Sequence, residues 1–212
     1  MSLETYKLDE KQLELAQTLT PSNDLVAERW KNAMLAGSMI PVQAFLDAIG
    51  HYAKDGKCLD LGMSYGPQYF GLKQFHPSVT WEGVEIASKY LPKFDGLKGQ
   101  DTPVTHLISD YKDLSAFSDS SYDVVTSRSM LCHYKPESGF AIIDEMLRVA
   151  SVAVIIKFYE LPNGDEDKYV EGFANMTGRG YFVTWAKAKW DEYTKGKKVS
   201  SFNYPTVVVI EK

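Results

Sequence analysis

Cys58-Leu59-Asp60-Leu61-Gly62-Met63-Ser64-Tyr65-Gly66-Pro67 reads as a short buried strand that ends in a carboxylate and runs into a loop with two glycines. Roughly 20 residues beyond the loop, a second strand, Thr80-Trp81-Glu82-Gly83-Val84-Glu85, also ends in a carboxylate, the separation at which an acidic side chain meets a ribose in nucleotide-binding α/β folds. The glycine spacing narrows the ligand. Dinucleotide sites use Gly-x-Gly-x-x-Gly, so that backbone amides and a helix start cradle a pyrophosphate. Here Asp60-x-Gly62-x-x-x-Gly66 sets a carboxylate where a phosphate would be repelled. A nucleoside with net positive charge and no phosphate fits this pattern, and a nicotinamide dinucleotide fits it poorly.

On the N-terminal side of this run the pattern is helical. Val26, Trp30, Ala33 and Met34 fall on one face, with Ser22 and Asn23 as caps, and a second helix carries Pro41 in its first turn and a stripe of Val42, Phe45, Leu46 and Ile49. Strand and helix then alternate. Strands are predicted near 58–61, 79–85, 104–109, 123–127 and 152–158, and helices after Pro67, from Ala87, and across Phe140, Ile143, Met146 and Leu147. Such alternation predicts a doubly wound α/β fold, a mostly parallel sheet with helices on both faces. The tail breaks the rhythm: a helix over 184–194 is followed by strands over 199–204 and 206–210. A link that short makes the last two strands antiparallel neighbours, because a parallel return needs a crossover of about a dozen residues. No repeat or linker interrupts the chain, so residues 1–212 read as a single domain, with 1–54 as an N-terminal helical cap region.

Bulk properties limit the function classes. The 212 residues are 44% hydrophobic and 24% charged, as in ordinary globular domains. A net charge of -5 offers no general attraction to nucleic acid or anionic membrane. No apolar run has the length of a membrane span, and the two cysteines, Cys58 and Cys132, have neither disulfide nor zinc spacing. A cytoplasmic protein is the simplest expectation.

Further motifs follow in order. Val104-Thr105-His106-Leu107-Ile108-Ser109-Asp110 is a third strand ending in an acid. An acidic residue before a short turn and an aromatic-Asp pair, Tyr122-Asp123, open the fourth strand. Glu145-Met146-Leu147-Arg148-Val149 precedes a fifth, Val152-Ala153-Val154-Ile155-Ile156-Lys157. With the glycine loop, this series resembles the class I (Rossmann-like) S-adenosylmethionine-dependent methyltransferases, closely over 45–157. The resemblance implies a seven-stranded sheet whose last strand is antiparallel, and S-adenosyl-L-methionine as cofactor. It implies that Asp60, Gly62, Met63, Ser64 and Gly66 serve the methionine portion, and that Glu85 holds the ribose hydroxyls. Asp110 would take the adenine amino group, Ile86 and Tyr111 would flank the ring, and Ser127 would complete the cofactor site. In Ser127-Arg128-Ser129-Met130-Leu131-Cys132-His133-Tyr134 lie the acceptor-side candidates. His133 could act as general base or simply pack the next helix, and Arg128 could hold an acidic acceptor or form a salt bridge.

The expected activity is methyl transfer to a nucleophilic O, N or S atom of a small molecule. Alternatives are a methyltransferase acting on protein or RNA and a catalytically silent cofactor-binding module. Two departures from the family pattern stand out. Ala150-Ser151 replaces a Pro-Gly-Gly turn, implying a tighter turn, and Thr126-Ser127-Arg128-Ser129 replaces the Asn/Asp-Pro-Pro-aromatic motif of enzymes that methylate nucleic-acid bases. Trp185, Lys187, Lys189, Trp190, Lys195, Lys197 and Lys198 could mark nucleic-acid contact but read better as a solvated helix face. Asn163, Asp165, Glu166 and Asp167 lack a calcium-loop pattern, and no metal site is expected. Trp30, Lys31 and Met34 would either cover the cofactor or pack the sheet.

Overall fold

The computed structural model describes residues 39–63, 67–86, 104–170 and 181–212. The first predicted helix with Trp30, Lys31 and Met34, the loop residues Ser64 and Gly66, and the helix from Ala87 lie outside the described residues.

Helix α1 (Met39–Ala53) leads to β1 (Lys57–Leu61), α2 (Pro67–Phe75), β2 (Thr80–Glu85), β3 (Val104–Leu107) and β4 (Tyr122–Arg128). A single 3-10 turn (Leu131–His133) and α3 (Pro136–Val149) lead into β5 (Ala150–Lys157). Strands β6 (Lys168–Val170) and β7 (Tyr181–Thr184), helix α4 (Lys187–Thr194), and strands β8 (Lys198–Phe202) and β9 (Tyr204–Glu211) complete the chain. The main sheet has seven strands in the order β3-β2-β1-β4-β5-β9-β8. Strands β3, β2, β1, β4 and β5 are parallel, while β9 runs antiparallel to both β5 and β8. The doubly wound fold expected from the sequence is therefore observed.

Alternation along each strand builds two cores. Leu59, Leu61, Val125, Val154 and Ile156 face α3 with Ile142, Ile143 and Met146, all buried. Cys58, Val124, Ala153 and Ile155 face the other way, against Phe45, Leu46 and Ile49 of α1. The predicted stripe on α1 is thus the buried one. Because chain order leaves β1 toward β2 on one side and returns to β4 on the other, the sheet has its topological switch between β1 and β4.

Three local readings are corrected by the structure. No turn separates α3 from β5: Ala150 is both the helix C-cap and the first strand residue. The helix predicted over 184–194 starts at Lys187, and Thr184 ends β7, which pairs with β6 in a separate two-stranded sheet. Burial of Trp185, whose indole N–H donates to the Tyr134 carbonyl at 3.2 Å, holds the chain extended there. Tyr204 belongs to β9, because Asn203 takes a left-handed φ of 52° and closes the hairpin one residue earlier.

Among the basic-aromatic residues of the tail, Trp185 and Trp190 are buried, so neither ring is available for base stacking. Lys187 pairs with Asp191, Lys189 with Glu137 and Asp167, and Lys198 with Glu211. This is the solvated face the sequence suggested. No helix among the described residues is long and apolar enough to cross a membrane, and among them no group of His, Cys, Asp and Glu side chains could hold a metal ion.

Candidate functional site

The crevice beside the switch is built from strand ends. Asp60 sits one residue before the end of β1, in register with Gly83 of β2 and Thr126 of β4. Parallel register puts the Thr126 side chain on the same face, and its hydroxyl donates to Asp60 Oδ1 at 3.0 Å. Asp60 is fully buried, and its Oδ2 has no hydrogen-bond partner among the described residues. Burial pushes this carboxyl up to about 7, opposed by the Thr126 hydrogen bond, the positive charge of Arg128 and the nearby indole N–H of Trp81, and reinforced by Glu85. A buried acid with an unanswered oxygen suits a cationic guest, since an ammonium there supplies both hydrogen bonds and charge.

The chain then turns. Gly62 adopts φ +72°, and the amides of Gly62 and Met63 both donate to the Val84 carbonyl, at 2.9 and 3.2 Å. That bend ties the start of the glycine loop to β2 and buries Met63.

Glu85, at the end of β2, is buried. Its Oε1 accepts the Ile86 amide at 2.8 Å and the Tyr111 hydroxyl at 2.9 Å, so the carboxylate is fixed in direction. Tyr111 is itself buried, edge-on to Tyr134 with ring centroids 6.4 Å apart. Its phenol is pushed up by burial and by the Glu85 charge, so it remains a hydrogen-bond donor. Ile86 packs against the core.

Asp110 follows β3. Its Oδ1 accepts the Lys112 amide at 2.9 Å and its Oδ2 pairs with Lys112 Nζ at 3.3 Å, with 41% of the side chain exposed. Arg148 of α3 holds the segment beyond it: Nη2 donates to the Leu114 carbonyl at 2.8 Å and Nη1 to the Phe117 carbonyl at 3.0 Å. The structure therefore aligns Asp60, Glu85 and Asp110 at the carboxyl ends of three adjacent strands.

Ser127 and Arg128 close β4. Ser127 is buried with its hydroxyl unpartnered among the described residues. Arg128 is half-buried and lies in register with Lys157, the last residue of β5. His133 ends the 3-10 turn, exposed, with its amide donating to the Met130 carbonyl at 3.0 Å. A shallow depression with room for about one water molecule lies beside this turn, walled by Ser129, Cys132, Lys157, Tyr159, Thr184 and Trp185, and neither Arg128 nor His133 lines it. The Cys132 thiol donates to the Ser129 carbonyl at 2.9 Å, and burial raises its pKa to about 12, which keeps it protonated and unreactive.

Two residues of this region carry no reading from sequence, and a third belongs to a different element from the one its spacing suggests. Thr126, the partner of Asp60, carries no signal without the strand register. Trp185 had been read with the tail helix. Lys157 did have a signal, a lysine ending a run of buried aliphatic residues at the ligand-binding edge of the sheet.

Two findings from known proteins meet this geometry. Residues 59–155 match the family model described as a methyltransferase domain. The sheet order is that of the class I, Rossmann-like methyltransferase fold, and the matched segment runs from β1 into β5. The solved structures it is similar to include a protein from Pyrococcus horikoshii, 22% identical with a TM-score of 0.59, the match covering 82% of this chain and 91% of that one. They also include a SAM-dependent methyltransferase from Methanosarcina mazei, 16% identical with a TM-score of 0.57, covering 78% and 96%. A third is the magnesium protoporphyrin IX methyltransferase of Synechocystis with bound SAM, 17% identical with a TM-score of 0.55, covering 98% of each chain. No curated protein matches the sequence.

Proposed function

We propose that this chain binds S-adenosyl-L-methionine in the β1–β4 crevice and transfers its methyl group to an O, N or S nucleophile of a small molecule. The observation that carries the reading is the alignment of Asp60, Glu85 and Asp110, with Asp60 Oδ2 buried and without a hydrogen bond among the described residues. In the bound state the cofactor supplies a methyl group already activated by its sulfonium. The protein's residues then have limited tasks. Asp60 and the backbone at Gly62 orient the amino-acid end, Glu85 accepts the ribose hydroxyls, and Asp110 exchanges its Lys112 contact for the adenine amino group. Ile86, Tyr111 and Ser127 shape the walls, and masking by packed side chains excludes water from the reacting atoms. His133 takes a proton where the nucleophile carries one, and Arg128 offsets negative charge on the acceptor. A small acceptor is supported by the acidic net charge and by the burial of the tail tryptophans, which leaves no stacking surface there for a nucleic acid.

The test is calorimetry with S-adenosylmethionine and S-adenosylhomocysteine. Micromolar binding is the expected result, and no detectable heat with either ligand would sink the proposal. Once an acceptor is found, His133→Ala should lower turnover by roughly a hundredfold or more if it is the base. Unchanged turnover removes it from the mechanism.

The Asp60 carboxyl predicts how binding varies with pH. A cationic ligand favours its ionised form, so binding should weaken as the free site becomes protonated. With the free site near 7, affinity for S-adenosylmethionine is expected to fall about tenfold between pH 8 and pH 6. Asp60→Asn should remove that dependence. Without ligand the sign is opposite for stability. The folded value lies above the ordinary 3.8, so the stabilising contribution is fully present below that value and is lost as pH rises through about 7. A flat calorimetric profile in the wild type would contradict this placement of the ligand ammonium.

A further inference from the structure

Leu114 lies in the irregular segment between β3 and β4, outside any strand or helix, yet it is fully buried. A buried peptide group needs a partner, and here one ion pair of α3 serves both the amide and the carbonyl of the residue. The Leu114 amide donates to Glu145 Oε2 at 3.0 Å, and its carbonyl accepts Arg148 Nη2 at 2.8 Å. Arg148 is locked in turn, with Nε and Nη2 donating to the two Glu145 oxygens at 2.9 Å and Nη1 to the Phe117 carbonyl and Asp119. A planar guanidinium engaged in this way holds the carbonyls it binds in fixed directions. Just upstream of Leu114, Tyr111 occupies a turn closed by the Asp113 amide on the Asp110 carbonyl at 3.1 Å. Its ring shares a core cluster with Leu114, Phe117 and Met130, and Tyr134 lies edge-on to it. Only 2% of Tyr111 is exposed, so its main effect on a ligand runs through the hydroxyl, which joins the Ile86 amide on Glu85 Oε1. Arg148 itself sits next to the end of α3, at the edge of the sheet where β5 begins, opposite the carboxyl ends that form the crevice.

We propose that Tyr111 is a positioning residue for the ribose subsite, held in place from the opposite edge of the sheet by the Glu145–Arg148 pair. The pair fixes Leu114, Leu114 and the turn before it fix the Tyr111 ring, and the Tyr111 hydroxyl fixes the carboxylate of Glu85. Hydrogen bonds weaken steeply when donor and acceptor are misaligned. A Glu85 carboxylate free to swing therefore meets the two ribose hydroxyls less well than one already aimed at them. Neither Glu145 nor Arg148 touches the ligand in this arrangement; both act through Tyr111. The inference rests on the assignment of Glu85 to the cofactor ribose, and it names what prepares that side chain.

The test is calorimetry on full-length protein with S-adenosylhomocysteine and with its 2′,3′-dideoxy analogue, which lacks only the ribose hydroxyls. Tyr111→Phe keeps the ring and loses the hydroxyl. It should bind S-adenosylhomocysteine about tenfold more weakly than the wild type does, and the analogue equally well. Arg148→Gln should show the same selectivity. Combined with Tyr111→Phe, it should add nothing to the loss specific to the ribose hydroxyls. Unchanged S-adenosylhomocysteine affinity in Tyr111→Phe would overturn the positioning role. So would an equal loss for both ligands, because general damage to the fold does not distinguish them. Additive ribose-specific losses in the double variant would overturn the link from the ion pair to Tyr111. Should Arg148→Gln not fold, Glu145→Gln is read by the same rule. Two wild-type outcomes are distinct, and each removes the basis of the inference: equal affinity for the two ligands counts against Glu85 as the ribose group, and binding of neither counts against the cofactor crevice.

Discussion

Glu85→Ala is expected to weaken S-adenosylmethionine binding by about a hundredfold. Each hydrogen bond from a neutral donor to a buried carboxylate contributes about 1.5–3 kcal/mol, and a ribose diol offers two, so losing about 3 kcal/mol corresponds to two orders of magnitude in affinity. The carboxylate is well placed for this because the Ile86 amide and the Tyr111 hydroxyl already fix its orientation through Oε1. Each carboxylate oxygen carries two lone pairs, so those bonds do not exhaust its capacity. The substitution also strips the buried Tyr111 hydroxyl of its acceptor, at a cost of about 1–3 kcal/mol to the fold. Glu85→Gln separates the two effects. It retains an acceptor for Tyr111 and should melt close to the wild type, yet it should bind the cofactor far more weakly. A folded Glu85→Ala protein with wild-type affinity by calorimetry would show that the ribose does not rest on this side chain.

Gly62→Ala is expected to cost about 2–5 kcal/mol of stability, the sum of two independent penalties. The first is conformational: φ +72° is a left-handed backbone that costs a residue with a Cβ about 1–2 kcal/mol. The second is steric, since an added Cβ would lie 2.6 Å from Met130 Cγ and 2.7 Å from Met130 Cβ, and overpacking of this kind costs about 1–3 kcal/mol. Met130 is buried, so it cannot simply swing into solvent. Denaturant unfolding of Gly62→Ala, Met130→Ala and the double variant distinguishes the terms. The double variant should recover only the share of the steric part due to Met130 Cγ, because alanine keeps its Cβ, and none of the conformational part. A Gly62→Ala protein as stable as the wild type would mean that the bend after β1 is not the one described.

The doubly wound fold was legible because its signals are local and repeated. Apolar runs ending in Asp60, Glu85 and Asp110 each announce a strand and its ligand-facing end, and the short link before β9 leaves only an antiparallel partner. Boundaries were lost where tertiary burial overrode local pattern. The amphipathic spacing around Trp185 continues a helix, but the indole is needed in the core beside Phe140 and Phe158, 5.3 and 5.5 Å away between ring centroids. The three acids of the candidate site could be named from sequence because each terminates a strand. What holds them could not. Thr126 meets Asp60 across 66 residues, and Tyr111 meets Glu85 across 26, distances that only strand register brings together.

The position of β9 between β5 and β8 has a consequence for synthesis on the ribosome. One flank of β5, with the buried Val154, Ile155 and Ile156, acquires its partner only when residues 204–211 have been made. At about 5–20 residues per second, the intervening stretch takes several seconds to emerge. Nascent chains arrested before residue 204 should accordingly be cut readily by added protease, and release of the final strand should confer resistance. Through that interval an adhesive aliphatic ribbon stays open to any extended neighbour, which makes prompt shielding by a chaperone a condition of high yield.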